Sequence, residues 1–535
     1  MNLFEAIFTD DPESPAILYE GRQISFGELR ESTLKMAQAI GLLGTEPNDR
    51  IALLLHDSPE FVEAFIAICS MGRIAVPINM ALRLDEQRAI IHNCRARVAI
   101  VEDDVCTALL TDAPDTLHFP EQIVKVHRPP PDDLEEVGQH FQITDARHRR
   151  PGARIRTLHE LHEQTGADET PLFSSPEQDD VAFMLYTSGS TGEPKGAMHR
   201  QSDVFYTSDT FCREVLQLKK TDRLFSSSRL PFAYGLGNSF SFPLLNGATS
   251  VLCREKPSPP IIARIFAEAR PTIFFAVPVV YNLLLDYHRQ TKPLDCTSLR
   301  MCVSAGEALP AHLGEQWEQT FGIPCLDGIG STEMLHMFMS NHFDDVRYGS
   351  SGKLLSGYEA RLLDEHGDPS GDGAEGNLWI KGESAATGYW ERPEETARTF
   401  VDGWVRTGDL YRQDRDGYWF HMGRSDDCFK STGQWVSPVE VEGVLLRHKN
   451  VGRAAVVEDF DDNALPCPCA FVVSEEVELR SNLENELRNL AATALPRFKQ
   501  PRKYVFVDEL PYTATGKVQR FKLRQQLRVK STSIG

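Results

Sequence analysis

Over residues 24–101, the hydrophobic pattern changes repeatedly between helix and strand spacing. SFGELRESTLKMAQAIGLLG (25–44) places apolar side chains at helical spacing and ends in Gly44. DRIALLLHD (49–57) and VAIVEDD (98–104) predict short apolar strands, and Ser58 predicts the N-cap of a following helix. Strands and helices in series predict a sheet with crossover helices.

Residues 111–178 interrupt this pattern, because they are rich in Pro, Asp, His and Arg, and they predict an irregular surface excursion. The α/β pattern resumes at DVAFMLYTSGS (180–190) and continues past residue 300. The longest apolar run, PTIFFAVPVVYNLLL (271–285), contains two prolines and is too short to span a bilayer. It predicts a buried strand, a turn and the start of a helix.

The second half of the chain has a different texture. From about 345 to 425, short strands alternate with Gly turns, which predicts a small β-rich unit, and a compact α+β pattern follows it. A chain of 535 residues is also too long for a single core. We therefore predict an α/β fold: a large N-terminal domain, residues 1–425, with parallel-rich sheets and the β-rich subdomain, and a small C-terminal domain, residues 426–535.

Composition narrows the class of protein. Fifty-six Lys and Arg against 77 Asp and Glu give a net charge of −21, which argues against nucleic acid or anionic membranes as partners. Eleven thinly spread cysteines, and acidic residues where a signal peptide needs basic ones, favour a reduced cytoplasmic protein. The pair Cys467 and Cys469 lacks a second pair nearby, so it is interpreted as two ordinary thiols rather than a zinc site.

The stretch YTSGSTGEPKG (186–196) is the first candidate for chemistry. An apolar strand runs into a loop of Gly, Ser and Thr, whose N–H groups and hydroxyls can face phosphate oxygens, while Lys195 can add a point charge. A flexible surface loop is the simpler alternative. The spacing is not that of a Walker A loop, because Pro194 stands where that loop needs glycine.

This stretch resembles the phosphate loop of the acyl-adenylate-forming enzymes, which include acyl-CoA synthetases, carrier-protein-loading adenylation domains and luciferases. Further stretches are similar to other family motifs and follow in the family order: SMGRIAVPIN (70–79), GIGSTE (328–333), GWVRTGDL (403–410), GRSDDCFKSTGQWVSPVEVE (423–442) and LPYTATGKVQR (510–520). Four stretches are similar to the benzoate–CoA ligase branch in particular: LPFAYGLGNSFSFPLLNGAT (230–249), SAGEALP (304–310), DGIGSTEMLHMFMSN (327–341) and RYGSSGK (347–353).

The resemblance implies a two-step reaction that uses ATP, Mg²⁺ and coenzyme A. The carboxylate of an aryl acid attacks the α-phosphorus of ATP, pyrophosphate leaves, and a thiol then attacks the acyl-AMP. Nucleotidyl transfer needs charge neutralisation and alignment more than covalent help from the protein. Benzoate, hydroxybenzoate, aminobenzoate and halobenzoate are not separable from sequence, and the oligomeric state is left open.

The resemblance also implies a role for each position that matches a family motif. Lys517, Glu333 and Thr332 are implied as catalytic: the lysine bridges the acyl carboxylate and the α-phosphate, the glutamate holds Mg²⁺, and the threonine contacts the α-phosphate. The implied nucleotide-binding residues are Thr187, Ser188, Gly189, Ser190, Thr191, Gly192, Lys195, Ala305, Gly306, Glu307, Asp327, Gly328, Ile329, Asp409 and Arg424. The implied substrate-binding residues are Phe232, Ala233, Tyr234, Gly235, Gly330 and His336. Asp426 is implied as the hinge of a mobile C-terminal domain, and Gly433 as part of the thiol channel.

The residues by themselves also permit simpler interpretations. The sequence STEM is typical of a capped helix start with an acidic first turn, and both roles can hold at once. Asp409 and Arg424 fit a turn aspartate and a surface arginine, and Lys517 fits an exposed lysine. Asp426 and Asp427 fit a solvated acidic pair.

The predicted acid pocket follows a strand at residues 232–235, where Gly and Ala leave room for a flat ring and Phe and Tyr can stack on it. No aspartate there can bind an amino group, which favours an amine-free carboxylate. His336, four residues after Thr332 on a predicted helix, lines the far edge of the ring or is a core histidine. His199 is interpreted as structural or nucleotide-adjacent. Further apolar wall is predicted from Val279, Val280 and Tyr281.

The sequence leaves three candidate functions. The first is an aryl acid–CoA ligase, and the second loads the aryl group onto the pantetheine arm of an acyl carrier protein. The basic stretch RFKQPRK (497–503) could serve either, by docking the carrier or by holding the 3′-phosphate of coenzyme A. The third, a nucleotide-binding module without catalysis, predicts degenerate catalytic positions. It is disfavoured because Glu333, Asp409, Arg424 and Lys517 are all present.

Overall fold

The computed structural model describes residues 2–9, 11–111, 117–127, 154–165, 173, 177, 180–188, 194–290, 293–371, 373–432, 434–461, 465–474, 480–512 and 518–532. The helices in these ranges are α1 Leu3–Ile7, α2 Phe26–Gly41, α3 Pro59–Ser70, α4 Leu84–Cys94, α5 Asp103–Leu110, α6 Leu158–Gln164, α7 Gln201–Thr207, α8 Ala233–Leu236, α9 Phe242–Leu245, α10 Pro259–Glu268, α11 Pro278–Gln290, α12 Ala311–Phe321, α13 Pro393–Thr399, α14 Pro438–Leu445, α15 Arg480–Ala494 and α16 Arg520–Thr532. Two π-helical segments, Ser208–Leu216 and Gly237–Ser241, and two 3₁₀ turns, Thr332–Met334 and Arg497–Lys499, complete the helical elements of the described chain. None of the helices within these ranges combines the length and the apolar character that crossing a bilayer demands.

The strands are β1 Pro15–Tyr19, β2 Arg22–Ser25, β3 Arg50–Leu54, β4 Ile74–Pro77, β5 Val98–Glu102, β6 Gln122–Val126, β7 Arg154–Thr157, β8 Val181–Ser188, β9 Pro194–Arg200, β10 Arg223–Ser226, β11 Thr249–Leu252, β12 Ile273–Ala276, β13 Met301–Ser304, β14 Cys325–Gly330, β15 Met337–Ser340, β16 Lys353–Leu354, β17 Glu359–Leu363, β18 Glu375–Lys381, β19 Phe400–Val401, β20 Trp404–Gln413, β21 Trp419–Arg424, β22 Phe429–Ser431, β23 Gln434–Val436, β24 Val451–Phe460, β25 Pro466–Ser474 and β26 Lys503–Val507.

The first sheet has seven strands in the order β7-β6-β5-β3-β4-β8-β9. All neighbours are parallel except β8 and β9, which form an antiparallel pair. The predicted strands at 49–57 and 98–104 are β3 and β5, and their apolar runs are buried as expected for a parallel sheet covered by helices. The predicted cap is confirmed, because the Ser58 side chain accepts a hydrogen bond from the Phe61 N–H at the start of α3.

The prediction for residues 111–178 is wrong in part. Within that stretch, β6 and β7 extend the first sheet beside β5, and α6 packs against α2. Their short apolar runs lie among Pro, His and Arg, so the sequence gives only a weak strand signal. They form strands because β6 pairs along the edge of β5 and β7 pairs along β6. Residues 112–116, 128–153, 166–172, 174–176 and 178–179 lie outside the described residues.

The second sheet has nine strands in the order β16-β15-β14-β13-β12-β10-β11-β1-β2. Its six central strands, β14 to β1 in that order, are parallel, and antiparallel strands close both edges. The strand, turn and helix predicted at 271–285 are confirmed as β12 and the beginning of α11. Because β10, β12, β13 and β14 run in the same direction, the segments that follow them share one edge of the sheet, where open α/β sheets bind ligands.

Two smaller units follow. An antiparallel sheet of β17, β18, β20, β19 and β21 confirms the β-rich character predicted for about 345–425. The last part of the chain is an α+β unit, in which β24, β25 and β26 pack with α14, α15 and α16 around two apolar clusters. The predicted boundary between residues 425 and 426 falls just after β21 and stays a prediction.

Candidate active site

The turn after β14 carries Thr332 and Glu333. Ser331 caps it, because its hydroxyl accepts a hydrogen bond from the Met334 N–H at 3.2 Å. Leu335, with φ of +65°, ends the 3₁₀ turn after only three residues. The capping interpretation of STEM is therefore correct, and the cap also holds the hydroxyl of Thr332 and the carboxylate of Glu333 in a defined turn.

A buried pair of side chains, His199 and Asp203, holds this turn through its backbone. His199 is fully buried, and its Nε2 lies 2.8 Å from the carbonyl oxygen of Thr332. Its Nδ1 lies 3.0 Å from Oδ2 of Asp203, and the other carboxylate oxygen of Asp203, Oδ1, pairs with Nη2 of Arg200 at 2.8 Å. Each imidazole nitrogen thus faces an oxygen acceptor, and His199 joins β9 to the turn that carries Glu333.

The phosphate-loop strands reach the same place. Thr187 and Lys195 are paired across the antiparallel β8–β9 ladder, so they flank the two ends of the loop. The Lys195 Nζ lies 5.5 Å from the centre of the Tyr389 ring, and the Tyr389 hydroxyl donates a hydrogen bond to Oε1 of Glu333 at 2.6 Å. Ser188 ends β8, and four predicted loop residues lie outside the described residues: Gly189, Ser190, Thr191 and Gly192.

Asp409 and Arg424 face each other across β20 and β21. The Arg424 Nη1 lies 3.3 Å from Oδ1 of Asp409 and donates to the carbonyl of Thr407 at 2.8 Å. Partial burial opposes the charge of Arg424, but the carboxylates of Asp409 and Glu333 outweigh it and raise its pKa. His421 adds a second contact, with its Nε2 at 3.3 Å from Oδ1 of Asp409. The two motifs therefore form one charged group, in which Asp409 is buried, Arg424 stays largely exposed, and the charge of Glu333 acts on the guanidinium.

The ends of β13 and β14 hold the predicted adenine-side residues. Ser304 and Asp327 are paired across these strands, and Ala305, Gly306 and Glu307 follow the first strand. Burial raises the pKa of Asp327 well above its ordinary value. The other residues predicted at the end of β14 are Gly328, Ile329 and Gly330.

The structure explains why position 330 is a glycine, which the sequence alone did not. A Cβ at this position would lie 2.6 Å from the carbonyl carbon of His336 and 2.7 Å from the Met337 nitrogen. Real Cβ atoms are essentially never that close to another heavy atom, so the antiparallel approach of β15 requires glycine here.

Helix α8 begins at Ala233, directly after Phe232, and the Tyr234 hydroxyl donates to the Val303 carbonyl at 3.0 Å. The reason predicted for Gly235 was wrong. A Cβ there would lie 2.6 Å from the Ser228 carbonyl oxygen, so the glycine makes room for neighbouring backbone rather than for a flat ring.

Two other pocket predictions need correction. His336 does not share a helical face with Thr332, because the helix ends at Met334. It is buried, with Nε2 at 3.2 Å from Oδ1 of Asn238 and its ring against Tyr234 and other aromatic rings. Burial lowers its pKa to about 3, so the imidazole is neutral at physiological pH.

Tyr281 is not pocket wall either. It is fully buried, and its hydroxyl donates to the Val303 carbonyl at 2.8 Å. Its ring packs edge-on against Trp317 at 4.9 Å. Val279 and Val280, on the same turn of α11, are half-buried.

The structure describes only part of the predicted C-terminal site. Asp426 is exposed, whereas Asp427 is paired with Arg524 at 3.0 Å, so the two aspartates are not an equivalent solvated pair. Gly433 and Lys517 lie outside the described residues.

The sequence profile of the AMP-binding enzyme family matches residues 4–390, and that of the AMP-binding enzyme C-terminal domain matches residues 440–517. The chain belongs to the AMP-binding enzyme family. Among its curated relatives, the benzoate–CoA ligase of Thauera aromatica is 40% identical over 488 residues, which cover 90% of this chain and 86% of the relative. The 4-hydroxybenzoate–CoA/benzoate–CoA ligase of Rhodopseudomonas palustris is 35% identical over 510 residues, 94% of this chain and 89% of the relative.

Solved structures agree with this AMP-binding enzyme assignment. An anthranilate–CoA ligase in complex with anthranoyl-AMP superimposes with a TM-score of 0.87 at 33% identity, over 99% of this chain and 98% of that one. A benzoate–CoA ligase from Burkholderia xenovorans superimposes with a TM-score of 0.83 at 35% identity, over 98% of this chain and 100% of that one. The predicted α/β architecture is therefore confirmed.

Sequence reasoning on this AMP-binding enzyme missed three contributors. Tyr389 lies 56 positions from Glu333, and no local pattern links them. His421 could have been suspected, because it lies on the strand that pairs with Asp409. Asp203 follows His199 by four residues, and only their burial together shows that they act as a pair.

Proposed function

We propose that this AMP-binding enzyme activates benzoate or a ring-substituted benzoate with ATP, and then transfers the aryl group from aryl-AMP to coenzyme A. One observation carries the proposal. Glu333, Lys195, Asp409 and Arg424 come from distant parts of the chain, yet Tyr389 contacts both Glu333 and Lys195, Arg424 contacts Asp409, and the charge of Glu333 acts on the Arg424 guanidinium. Relatives named as benzoate–CoA and hydroxybenzoate–CoA ligases support the substrate class.

In this proposal the nucleotide is held by opposite charges. Lys195 and the loop from Thr187 contact the phosphates, and Asp409 accepts hydrogen bonds from the ribose hydroxyls. Arg424, whose charge both Asp409 and Glu333 favour, orients the Asp409 carboxylate that the ribose needs. The remaining proposed nucleotide contacts are at the ends of β13 and β14, where ligands meet an open α/β sheet.

Magnesium fits the residues at Glu333. The carboxylate is only partly buried, and it stands beside the Thr332 hydroxyl. Within the described ranges no group of three His, Cys, Asp or Glu side chains is placed to hold a metal. This suits Mg²⁺, which usually binds one or two carboxylates together with substrate phosphates and water. When bound, Mg²⁺ supplies charge neutralisation for the departing pyrophosphate.

The C-terminal domain is assigned a role in both half-reactions. We propose that Lys517 contacts the acyl carboxylate and the α-phosphate during adenylation, and that rotation about Asp426 then opens a thiol channel past Gly433. Burial raises the pKa of Tyr512, Arg453 partly offsets this, and the carboxylate of Glu307 adds a smaller contribution, which fits a tail close to the nucleotide side.

The acid pocket is proposed at the start of α8. Phe232 and Tyr234 offer aromatic faces, while neutral His336 stands behind Tyr234 at a ring distance of 5.6 Å. An uncharged wall suits an aromatic ring better than an amino acid, whose ammonium group needs a carboxylate partner.

Coenzyme A is favoured over a carrier protein. The names of the benzoate–CoA and hydroxybenzoate–CoA ligase relatives support this choice. Three of the four basic residues at 497–503 are paired with carboxylates: Lys499 with Glu440, Arg502 with Asp461 and Lys503 with Asp459. A charge-compensated patch attracts an acidic partner only weakly. All eleven cysteines are buried free thiols, which supports the proposal of a reducing cytoplasmic setting.

The deciding experiment measures pyrophosphate release from the purified enzyme across a panel of aromatic acids, with amino acids as the matched control. Coenzyme A and a phosphopantetheinylated carrier protein are then compared as acceptors. We expect release with benzoates, little with amino acids, and thioester formation on coenzyme A. An enzyme that never exchanges labelled pyrophosphate into ATP with any aryl acid would refute the proposal.

A further inference from the structure

A short segment joins the phosphate-loop strand to the turn that carries Glu333. The Ala386 N–H donates to the Glu333 carbonyl at 2.8 Å, and the Trp390 N–H donates to the Gly196 carbonyl of β9 at 2.8 Å. Tyr389, between them, pairs with Ala197 in an isolated antiparallel bridge. The backbone at 386–390 is therefore fixed both to β9 and to the Glu333 turn.

The side chain of Tyr389 is held equally firmly. It is 7% exposed, packs in a small apolar cluster with Ala197, and meets the Phe400 ring edge-on at 5.5 Å. The backbone N–H of Tyr389 donates to Oγ1 of Thr396 at 2.9 Å. A ring anchored this way delivers its hydroxyl to one point with little rotamer freedom left to lose.

That point is the carboxylate of Glu333. The Tyr389 hydroxyl donates to Oε1 at 2.6 Å, the short length typical of a hydrogen bond to a charged acceptor. On its other side the ring lies 5.5 Å from the ammonium group of Lys195, within cation–π range.

We propose that Tyr389 is a positioning residue that orients the Glu333 carboxylate for magnesium, an inference that rests on the proposed function. One carboxylate oxygen accepts the phenol hydrogen, which restricts rotation of the group and leaves Oε2 as the oxygen that would bind the metal. Residues that orient metal ligands through hydrogen bonds typically change metal affinity by about 10- to 100-fold when removed. Because the ring also contacts Lys195, it fixes the position of β9 relative to the turn that carries Glu333.

The test is Tyr389→Phe in the full-length enzyme, which removes one hydroxyl and keeps the ring. Binding of Mn²⁺ is followed by electron paramagnetic resonance in the presence of α,β-methylene-ATP, which cannot react. We expect about tenfold weaker Mn²⁺ binding, and a matching rise in the Mg²⁺ concentration that half-saturates pyrophosphate release. The matched control is Tyr206→Phe, because that hydroxyl donates to the Gly357 carbonyl away from the cluster, and it should leave both values unchanged.

A double-mutant comparison separates positioning from a structural effect. If Tyr389 acts through Glu333, then Tyr389→Phe should weaken Mn²⁺ binding in the wild-type background and have no further effect in the Glu333→Gln background. An equal loss in both backgrounds, or unchanged Mn²⁺ binding in a folded Tyr389→Phe enzyme, would overturn the inference. Wild-type enzyme without any aryl acid-dependent pyrophosphate release would instead count against the proposed function.

Discussion

Replacing Gly235 by alanine tests directly where the aryl acid binds. The added Cβ would lie 2.6 Å from the Ser228 carbonyl oxygen and closer still to the carbonyl of Arg229. Both obstacles are backbone atoms, and this backbone is held, because the Leu230 N–H donates to Oδ1 of Asp57 at 3.1 Å. The strain is therefore relieved by moving helix α8 rather than the segment before it.

The expected size of the effect follows from the packing. Forcing an extra methyl group into a filled site costs about 1–3 kcal/mol. Phe232 and Tyr234 stand at the start of α8, so a shift of that helix is felt where we propose that the acid binds. In this proposal benzoate binding has to draw α8 back to its original position, so the strain is lost from the binding free energy. At about 1.4 kcal/mol per factor of ten, the KM for benzoate should rise roughly 5- to 150-fold. The KM for ATP should rise much less, because Asp409 and Arg424 lie on a different sheet and, within the described residues, only the contacts at the end of β13 are bonded to α8.

The assay measures pyrophosphate release while benzoate and ATP are varied separately. The control is Gly41→Ala, because Gly41 lies in helix α2 and an added Cβ there meets no atom within 4 Å. That variant should keep both KM values, and its stability should stay equal or improve slightly, since alanine favours helix. A folded Gly235→Ala enzyme with an unchanged KM for benzoate, or with equal rises in both KM values, would refute the proposed pocket.

Three further predictions concern the tail and the pH dependence of stability. Lys517→Ala should slow acyl-AMP formation by about 10²- to 10³-fold and largely spare thioester formation from preformed aryl-AMP; equal losses in the two single-turnover assays would contradict its role. Asp426→Pro should impair the two half-reactions unequally in the same assays, and a uniform loss would count against the hinge. Burial, reinforced by Glu60, raises the pKa of Glu63 from 4.5 to about 7, so the folded state binds more protons than the unfolded state across this interval and stability falls as pH rises through it. Glu63→Gln removes that loss, and urea unfolding should show a gain over wild type that is larger at about pH 8 than at about pH 5, by on the order of 3 kcal/mol; a gain independent of pH would contradict it.

Local rules recovered the elements whose signals lie within a few residues. Ser25 and Ser58 cap α2 and α3 as hydroxyl residues before apolar periodic runs should. The apolar run at 271–285 divides into a strand and a helix at Pro278 for the same kind of reason, since proline at a first helical turn loses no hydrogen bond.

Elements that depend on a distant pairing partner were harder to predict from the sequence. Strands β6 and β7 are short and lie among polar residues, and they become strands because β5 offers an unpaired edge. The helix predicted through His336 ends early, because the backbone at Leu335 turns into the left-handed region and β15 then pairs with β14. In both cases sheet hydrogen bonding outweighs a weak local preference.

The amino-acid sequence by itself determined the family resemblance, the strand that enters the phosphate loop and the types of charged residue at the site. Only the tertiary structure decided that the Tyr389 hydroxyl meets Glu333, that His199 supports Thr332, and that Gly235 serves the backbone at Ser228. The physical reason is how far apart along the chain the interacting residues lie. Capping, turns and hydrophobic period depend on neighbours along the chain, whereas these contacts form between residues that only the packing of sheets and loops brings together.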